Sequence, residues 1–189
     1  MAFLALALTR PTLVGALAPS SRRLACAMAG QVGSASAVIE LGAGTGAVTA
    51  ALRAVAPHTP LLAVELQRHL AAGLKRRFPD VELSCAAAHE VLQERTAAPG
   101  DTVLVSSLPF RSLPEPLRTT TLQSLLVFVE AHPGRRLVQY TYQPRAPFAL
   151  PRASRLQWTL REVVWGNLPP AGVWVLKTSA PPEAPLSDR

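Results

Sequence analysis

The chain carries the sequence VIELGAGTGAVTAAL at residues 38–52, in which an apolar run ends in an acid and glycines follow at every second position. The apolar run is typical of a buried strand, and the alanine-rich stretch after the glycines is typical of a helix. Glycine at such a junction permits a tight turn and a close approach of the backbone to a ligand, and the helix N-terminus offers free N–H groups there. The stretch therefore predicts a strand–turn–helix unit that holds a ligand.

Two acids favour one class of ligand for this turn. The dinucleotide pattern G-x-G-x-x-G/A fits Gly42, Gly44 and Ala47, so NAD stays open, whereas a Walker phosphate loop is excluded because no Gly-Lys-Ser/Thr follows. Glu40, just before the glycines, suits a cationic, amino-bearing cofactor better than a pyrophosphate, which it would repel. Glu65 ends the next predicted strand, where an acid can accept both ribose hydroxyls. S-adenosylmethionine (SAM) combines a sulfonium, an ammonium and a ribose diol, and this spacing resembles the first two motifs of class I SAM-dependent methyltransferases.

Predicted strands alternate with predicted helices along most of the chain. The strands are SAVIEL (36–41), PLLAVEL (60–66), VELSCA (81–86), DTVLVSSL (101–108) and RRLVQYTYQ (135–143), and helices are predicted over 46–56, 67–78 and 114–130. A closing antiparallel hairpin is predicted over 155–177, turned at NLPPAG. The alternation predicts an α/β fold with a doubly wound, mostly parallel, seven-stranded Rossmann-like sheet.

The chain divides into three predicted segments. Residues 1–35 are expected to form an N-terminal helical segment, with Ser20 or Ser21 as the N-cap of the helix RRLACAMAGQV. Residues 36–178 are expected to form the ligand-binding domain, and the proline-rich residues 179–189 a flexible tail. One face of the helix over 67–78 is expected to carry Leu66, Leu70, Leu74 and Phe78.

Composition narrows the class of protein and of partner. The chain has 189 residues, of which 49% are hydrophobic, so disorder is not expected. No apolar stretch reaches the roughly 18 residues of a spanning helix. The net charge of +7 comes almost entirely from arginine, which favours phosphate-bearing partners, either nucleic acid or an anionic membrane surface. Two distant cysteines favour a reduced, cytoplasmic protein, and four histidines without metal spacing predict no metal site.

The stretch SSLPF at residues 106–110 follows the fourth predicted strand. Methyltransferases that act on amino groups carry a short polar-x-Pro-aromatic element at this place, which in the rRNA adenine dimethylases reads N-L-P-Y/F. Proline stiffens such a loop so that backbone carbonyls point at the acceptor nitrogen, and the aromatic ring packs over it. Because the sulfonium is a good leaving group, catalysis requires chiefly the alignment of a neutral amine.

Four stretches together resemble the bacterial phospholipid N-methyltransferases. They are RPTLVGALAPSSRRLACAM (10–28), SSLPFRSLP (106–114), QYTYQPRAPF (139–148) and VVWGNLPPAGVWVLK (163–177), and the likeness runs over nearly the whole chain. The resemblance implies SAM-dependent methylation of phosphatidylethanolamine toward phosphatidylcholine. It also implies a cytoplasmic enzyme, monomeric in solution, that docks through residues 1–35 on the anionic inner face of the cytoplasmic membrane.

The resemblance implies a role for each of three groups of residues. The cofactor would contact Glu40, Gly42, Ala43, Gly44, Gly46, Glu65, Leu66, Ala87, Ala88 and Ser106. Catalysis would involve Ser106, Leu108, Pro109, Phe110 and Tyr142, with Tyr142 helping to accept the proton of the ethanolammonium. The lipid would be bound by Ser20, Ser21, Arg111, Tyr140 and Arg145, with the two arginines on its phosphate and the tyrosines, together with Phe110, around the methylated ammonium.

One departure leaves alternatives open. Ala87 stands where related enzymes carry the acid of a Gly-Asp-Ala element that binds the adenine amino group. His89 or Glu90 is expected to substitute, or packing alone holds the adenine. The absence of this acid supports one alternative, a protein with this fold that docks on membranes or partners without turnover. The basic charge of the chain permits another, an RNA or protein methyltransferase, although the chain lacks an aromatic-basic RNA-binding stripe, and nucleic acid is not the expected partner.

Overall fold

The glycine turn joins the central strand of a parallel sheet to the helix that follows it. The structure, a computed structural model, describes residues 21–95 and 100–179. In these residues seven strands form one sheet in the order β3-β2-β1-β4-β5-β7-β6. The strands are β1 (Ala37–Leu41), β2 (Leu61–Val64), β3 (Glu82–Ser84), β4 (Thr102–Ser106), β5 (Arg136–Thr141), β6 (Leu156–Val164) and β7 (Ala171–Thr178). The first five are parallel, and β7 runs antiparallel between β5 and β6.

Helices cover both faces of the sheet, as the predicted doubly wound fold requires. The helices are α1 (Arg22–Ala29), α2 (Ala47–Val55), α3 (Arg68–Arg77), α4 (Ala88–Arg95) and α5 (Glu115–Glu130). Residues of α1, α2 and α3 belong to one core cluster, and residues of α4 and α5 belong to the other. The predicted fold is confirmed, including the closing antiparallel hairpin of β6 and β7.

Consecutive residues of the central strands enter opposite cores. In β1, Val38 packs with α1–α3 and Ile39 with α4 and α5, and in β4 Val103 and Leu104 divide in the same way. Because side chains alternate along a strand, a sheet covered on both faces needs apolar residues at every position. This is why these strands read as uninterrupted apolar runs.

The predicted apolar face of α3 was partly wrong. Leu74 is buried as expected, but Leu66 is 45% exposed, and Ala71 is the other buried residue of the helix. The helix begins only at Arg68. Leu66 therefore lies in the turn after β2, where the helical period of about 3.6 residues does not apply.

Helix α1 lies within the described part of the predicted N-terminal segment, residues 21–35. The hydroxyl oxygen of Ser21 accepts a hydrogen bond from the Leu24 N–H at 3.2 Å, which confirms Ser21 as the N-cap. Leu24 and Met28 are fully buried, so the helix is an integral part of the core. The other candidate cap, Ser20, lies outside the described residues, as do the rest of 1–20 and nearly all of the predicted tail. Within the described part of the chain, no helix is both long and apolar enough to cross a membrane.

Candidate functional site

The glycine turn lies at the carboxyl edge of the sheet, between β1 and α2. Gly42, Gly44 and Gly46 have φ values of 76°, 55° and 84°, a backbone conformation that L side chains rarely adopt. A Cβ on Gly46 would also lie 2.6 Å from the ring of Phe78, and one on Gly42 would lie 3.0 Å from Leu108. Both the path of the backbone and the surrounding space therefore require glycine. The contact with Leu108 also places the SSLPF loop beside the turn.

Glu65 holds the turn from the end of β2. Its Oε2 accepts a hydrogen bond from the Gly44 N–H at 2.8 Å, and its Oε1 accepts one from the Gln67 N–H at 2.9 Å. The residue is 6% exposed. Each carboxylate oxygen can accept a further hydrogen bond. The arrangement suits a vicinal diol presented at the turn.

Glu40 is the second buried acid beside the turn. It is fully buried, and its Oε2 accepts a hydrogen bond from the hydroxyl of Thr49 at 2.6 Å. Its Oε1 has no hydrogen-bond partner among residues 21–95 and 100–179. Burial raises the pKa of Glu40 to about 8, despite the opposing effect of the bond from Thr49. A cation next to this carboxylate would stabilise its charged form.

Ser106, the last residue of β4, supports the turn that follows the strand. Ser106 is fully buried, and its hydroxyl accepts a hydrogen bond from the Leu108 N–H at 3.2 Å. Ser107 is partly exposed, and its N–H donates to the Leu41 carbonyl of β1 at 2.9 Å. Ser107 also occupies the polar position of the polar-x-Pro-aromatic element. The site residues predicted from the sequence include Ser106 and not Ser107, although the spacing of this element already distinguished the two serines.

Gln139 lies in the candidate site but was not among the site residues predicted from the sequence. It lies opposite Ser106 in the β4–β5 register and is 3% exposed. Its side-chain amide N–H group donates to the carbonyls of Leu108 at 3.3 Å and of Tyr140 at 3.1 Å. Its Oε1 has no partner within the described ranges. An amide directly after the apolar residues Leu137 and Val138 of a predicted strand was the available signal.

A cavity of about 260 Å³ opens between the SSLPF loop and the end of β5. It is lined by Leu108, Pro109, Phe110, Arg111, Ser112, Gln139, Tyr140, Thr141, Tyr142, Gln143 and Pro147. The rings of Tyr140 and Tyr142 meet edge to face with their centroids 5.4 Å apart. The structure thus places Arg111 and both tyrosines, three of the site residues predicted from the sequence, around one cavity. Arg145 is exposed in the segment after β5 and is not among the residues that line the cavity.

Phe110 lines the same cavity as Tyr140 and Tyr142, although most of its ring is buried. It is only 4% exposed, and its ring packs edge-on against Phe148 at 5.2 Å. Phe110 and Phe148 belong to the α4–α5 core, whereas Tyr140 and Tyr142 pack on the α1–α3 core. Residues of both cores therefore meet at this cavity, and the grouping of Phe110 with the tyrosines around an ammonium stays a prediction.

The segment expected to contact an adenine begins α4. Glu90 is exposed, and its Oε2 accepts a hydrogen bond from the Ala87 N–H at 2.9 Å, so one oxygen of this acid caps the helix. The neighbouring His89 has a buried Nδ1 without a partner in the described ranges. Ala43 is buried and Ala88 half-buried, and the exposed Leu66 provides apolar surface at the same edge. No cluster of three metal-ligating side chains occurs among the described residues.

No protein-family model matches the chain. In sequence it is similar to the ribosomal RNA small subunit methyltransferase A of Burkholderia multivorans, with 39% identity over 101 residues. This match covers 50% of the chain and 36% of the relative, so the chain matches little more than a third of the relative's length.

Solved structures show the fold more completely. NodS, an N-methyltransferase from Bradyrhizobium japonicum WM9 in complex with S-adenosyl-L-homocysteine, has a TM-score of 0.61 and 16% identity, over 84% of this chain and 86% of NodS. The 23S rRNA methyltransferase ErmE has a TM-score of 0.58 and 20% identity, over 87% of this chain and 70% of ErmE. The chain therefore has the class I SAM-dependent methyltransferase fold, with a partial sequence relationship to rRNA methylases.

Proposed function

We propose that the chain is a SAM-dependent N-methyltransferase whose acceptor is the amine of phosphatidylethanolamine. The observation that carries the proposal is the union, at one sheet edge, of the glycine turn held by Glu65 and the tyrosine-lined cavity beside Leu108. In open α/β sheets, ligands bind at the carboxyl ends of the strands, where the order of the strands reverses. Here that point lies between β1 and β4.

The residues at the turn fit the proposed cofactor. Glu65 offers two carboxylate oxygens to the ribose hydroxyls, and the buried Oε1 of Glu40 lacks a partner that a cationic amino group supplies. A Cβ on Gly44 would meet no atom nearer than the Gly42 carbonyl oxygen at 4.0 Å, so the turn is open to a ligand at that residue. Bound SAM supplies a methyl group on sulfur that is ready for transfer to a nucleophile. Glu40, Glu65 and the glycines position that group, and Leu66 with the start of α4 would flank the adenine.

The cavity residues are proposed to prepare the acceptor. A neutral amine is the nucleophile, so the ammonium must lose a proton before attack. Tyr142 lies at the end of β5 and lines the cavity, where its hydroxyl can accept a hydrogen bond from the ammonium as that proton leaves. The faces of Tyr140 and Tyr142 attract an ammonium at each stage of methylation. Arg111, exposed at the rim, offers a guanidinium to the lipid phosphate.

The location of the protein follows from the same proposal. Residues 1–35 would help the chain to dock on the anionic inner face of the cytoplasmic membrane, while residues 36–178 would carry the chemistry. The arginine excess of the chain supports this, because each arginine near an anionic surface contributes about 1 kcal/mol of binding.

RNA is the second candidate acceptor, and the partial similarity to the rRNA methyltransferase of Burkholderia multivorans favours it. Enzymes that modify bases extrude the target and stack it on aromatic or apolar side chains. The tyrosine pair offers one such surface. The two candidates therefore use the same cavity and differ in what brings the substrate to it.

Label transfer distinguishes the candidates. The purified full chain is incubated with methyl-labelled SAM and vesicles of phosphatidylethanolamine and phosphatidylglycerol, and in parallel with ribosomal RNA, and lipid is extracted into chloroform. We expect label in methylated phosphatidylethanolamine with the wild-type chain and much less with Glu65→Ala, while Glu94→Ala, which removes an exposed acid of α4, serves as the control. Label in RNA alone would identify RNA, and not the lipid, as the methyl acceptor. SAM binding without transfer to either acceptor would contradict the enzymatic proposal.

A further inference from the structure

The connection between β6 and β7, residues 165–170, is here called the hairpin tip. It exposes two large apolar side chains, with Trp165 78% and Leu168 92% exposed. The tip is held in one shape because the Asn167 side-chain amide donates to the Pro169 carbonyl at 2.7 Å, and its backbone N–H donates to the Val164 carbonyl. Asn167 itself is 5% exposed. The hydrogen bonds of the buried Asn167 thus hold the tip in the conformation that exposes Trp165 and Leu168.

Basic side chains lie beside the tip. The guanidinium of Arg23 packs directly on Gly166 and leaves no room for a side chain there. Arg22 is exposed at the start of α1, the helix that also carries Arg23. Arg161 on β6 donates a hydrogen bond to the side-chain oxygen of Gln31, in the segment after α1, at 3.2 Å. Glu162 is the one acid on this part of β6. The apolar tip is therefore flanked by an excess of positive charge.

The strand register places the tip on the same edge of the sheet as the cavity. Thr141 at the end of β5 pairs with Gly172, and Val164 at the end of β6 pairs with Ala171. Tyr142, which lines the cavity, directly follows Thr141. Both the tip and the cavity therefore lie beyond the carboxyl ends of the parallel strands. A surface that contacts the tip would lie at the edge where the cavity opens.

We propose that the hairpin tip inserts Trp165 and Leu168 into the interface of an anionic lipid bilayer, with Arg22 and Arg23 at the headgroups, and so turns the cavity toward the membrane. Tryptophan prefers the membrane interface, and arginine next to an apolar surface is attracted to anionic headgroups. Leu168 favours a bilayer over RNA, because an aliphatic side chain has no planar face on which a base can stack. The orientation of the cavity rests on the proposed function, whereas the docking itself does not.

Fluorescence tests the insertion at the tip itself. The full chain is titrated with vesicles of phosphatidylglycerol and phosphatidylethanolamine, with and without bromine on the acyl chains. We expect the wild-type emission to shift to the blue and to be quenched by the brominated lipid. Trp165→Phe should abolish both effects, because Trp158 and Trp174 lie within strands β6 and β7 and are partly buried. The proposal would be overturned if the wild-type chain did not bind vesicles. It would also be overturned if the Trp165→Phe variant showed the same blue shift as the wild type.

Sedimentation with vesicles measures the contribution of the tip to affinity. The double variant Trp165→Ala/Leu168→Ala should bind at least about tenfold more weakly, because it removes two interfacial apolar side chains. Val55→Ala/Val127→Ala is the matched control, since these side chains are 53% and 56% exposed on α2 and α5. Unchanged vesicle binding by the tip variant, or loss of affinity for structured RNA with vesicle binding retained, would contradict a bilayer as the occupant.

Two further readouts separate this proposal from the proposed function. SAM affinity of the tip variant, measured by calorimetry, should equal that of the wild type. If the wild type binds vesicles through the tip but labels no lipid, the docking stands and the lipid as methyl acceptor fails. If lipid is labelled but the tip variant binds vesicles as well as the wild type, the docking fails alone.

Discussion

Two buried glutamates at the glycine turn have different environments, although they lie at the ends of neighbouring strands. Glu65 accepts hydrogen bonds from two backbone N–H groups and lies at the surface of the turn. Glu40 is enclosed, with one oxygen bonded to Thr49 and the other without a partner within the described ranges. Because a carboxylate is stabilised by donors and destabilised by burial, the two residues are expected to respond differently to substitution.

Replacement of Glu65 tests the ribose assignment. Glu65→Ala should weaken SAM binding by at least about tenfold, because hydrogen bonds to a charged acceptor contribute about 1.5–3 kcal/mol each. The chain should still fold, since the lost partners are two backbone N–H groups close to the surface. Isothermal titration calorimetry measures the affinity, and Glu162→Ala controls for loss of an acid elsewhere. An unchanged dissociation constant would contradict the assignment of Glu65 to the ribose.

Glu40 makes the stability of the fold depend on pH. The folded-state pKa is about 8, compared with 4.5 for an ordinary carboxyl, because burial disfavours the charged form. The folded state therefore binds the proton more tightly than the unfolded state does. The contribution of this group to stability is fully present below pH 4.5 and is lost as the pH rises through 8.

Glu40→Gln tests this dependence, because the amide keeps the shape of the side chain and cannot ionise. We expect the free energy of unfolding of the variant to fall less than that of the wild type as the pH rises from 4.5 to 8. Urea unfolding across this range measures the difference. Glu162→Gln, at an exposed site, should follow the wild-type profile. Parallel profiles for Glu40→Gln and the wild type would show that Glu40 does not titrate as inferred.

At the scale of elements, the pairing of β4 with β5 couples two parts of the site. The register places Gln139 opposite Ser106, from where its amide reaches the Leu108 carbonyl in the following loop. Strand β5 thus holds the conformation of the loop on which acceptor alignment is proposed to depend. We therefore propose that Gln139 acts through Leu108, as a positioning residue.

Gln139→Leu should lower kcat by about ten- to a hundredfold, the size of effect expected when a reacting group is misplaced by about 1 Å. SAM affinity should remain as in the wild type, because the glycine turn does not contact this amide. Steady-state kinetics with calorimetry separates the two quantities. Gln93→Leu is the control, since its amide bonds Ser124 between α4 and α5. A reduced SAM affinity with unchanged kcat would assign Gln139 to the cofactor instead.

The elements differ in how far local sequence determined them. The strands around β1 were predictable because full burial on both faces requires unbroken apolar runs. The face of α3 was predicted partly wrongly because the residue before a helix does not share its period. The grouping of Phe110 with the tyrosines was implied by the family resemblance; the three residues line one cavity, but Phe110 packs in the α4–α5 core and the tyrosines pack on the α1–α3 core.

At the scale of the whole molecule, the parts of the candidate site lie at one edge of the sheet. The glycine turn, the SSLPF loop, the tyrosine cavity and the hairpin tip all lie beyond the carboxyl ends of the parallel strands. The antiparallel strand β7 is what brings the tip to this edge, since it begins where β5 ends. Cofactor, acceptor and docking surface are therefore proposed to meet at one edge of the molecule.

The sequence by itself determined the strand–turn–helix unit, the acids Glu40 and Glu65, the alternation of strands and helices, and the closing hairpin. These features depend on local patterns: period, glycine at a junction and charge beside it. Only the tertiary structure decided that Ser106 is buried, that Gln139 reaches the Leu108 carbonyl, and that Arg23 packs on the hairpin tip. Each of these depends on residues far apart in the chain, whose proximity is set by strand register and by the packing of side chains in the core.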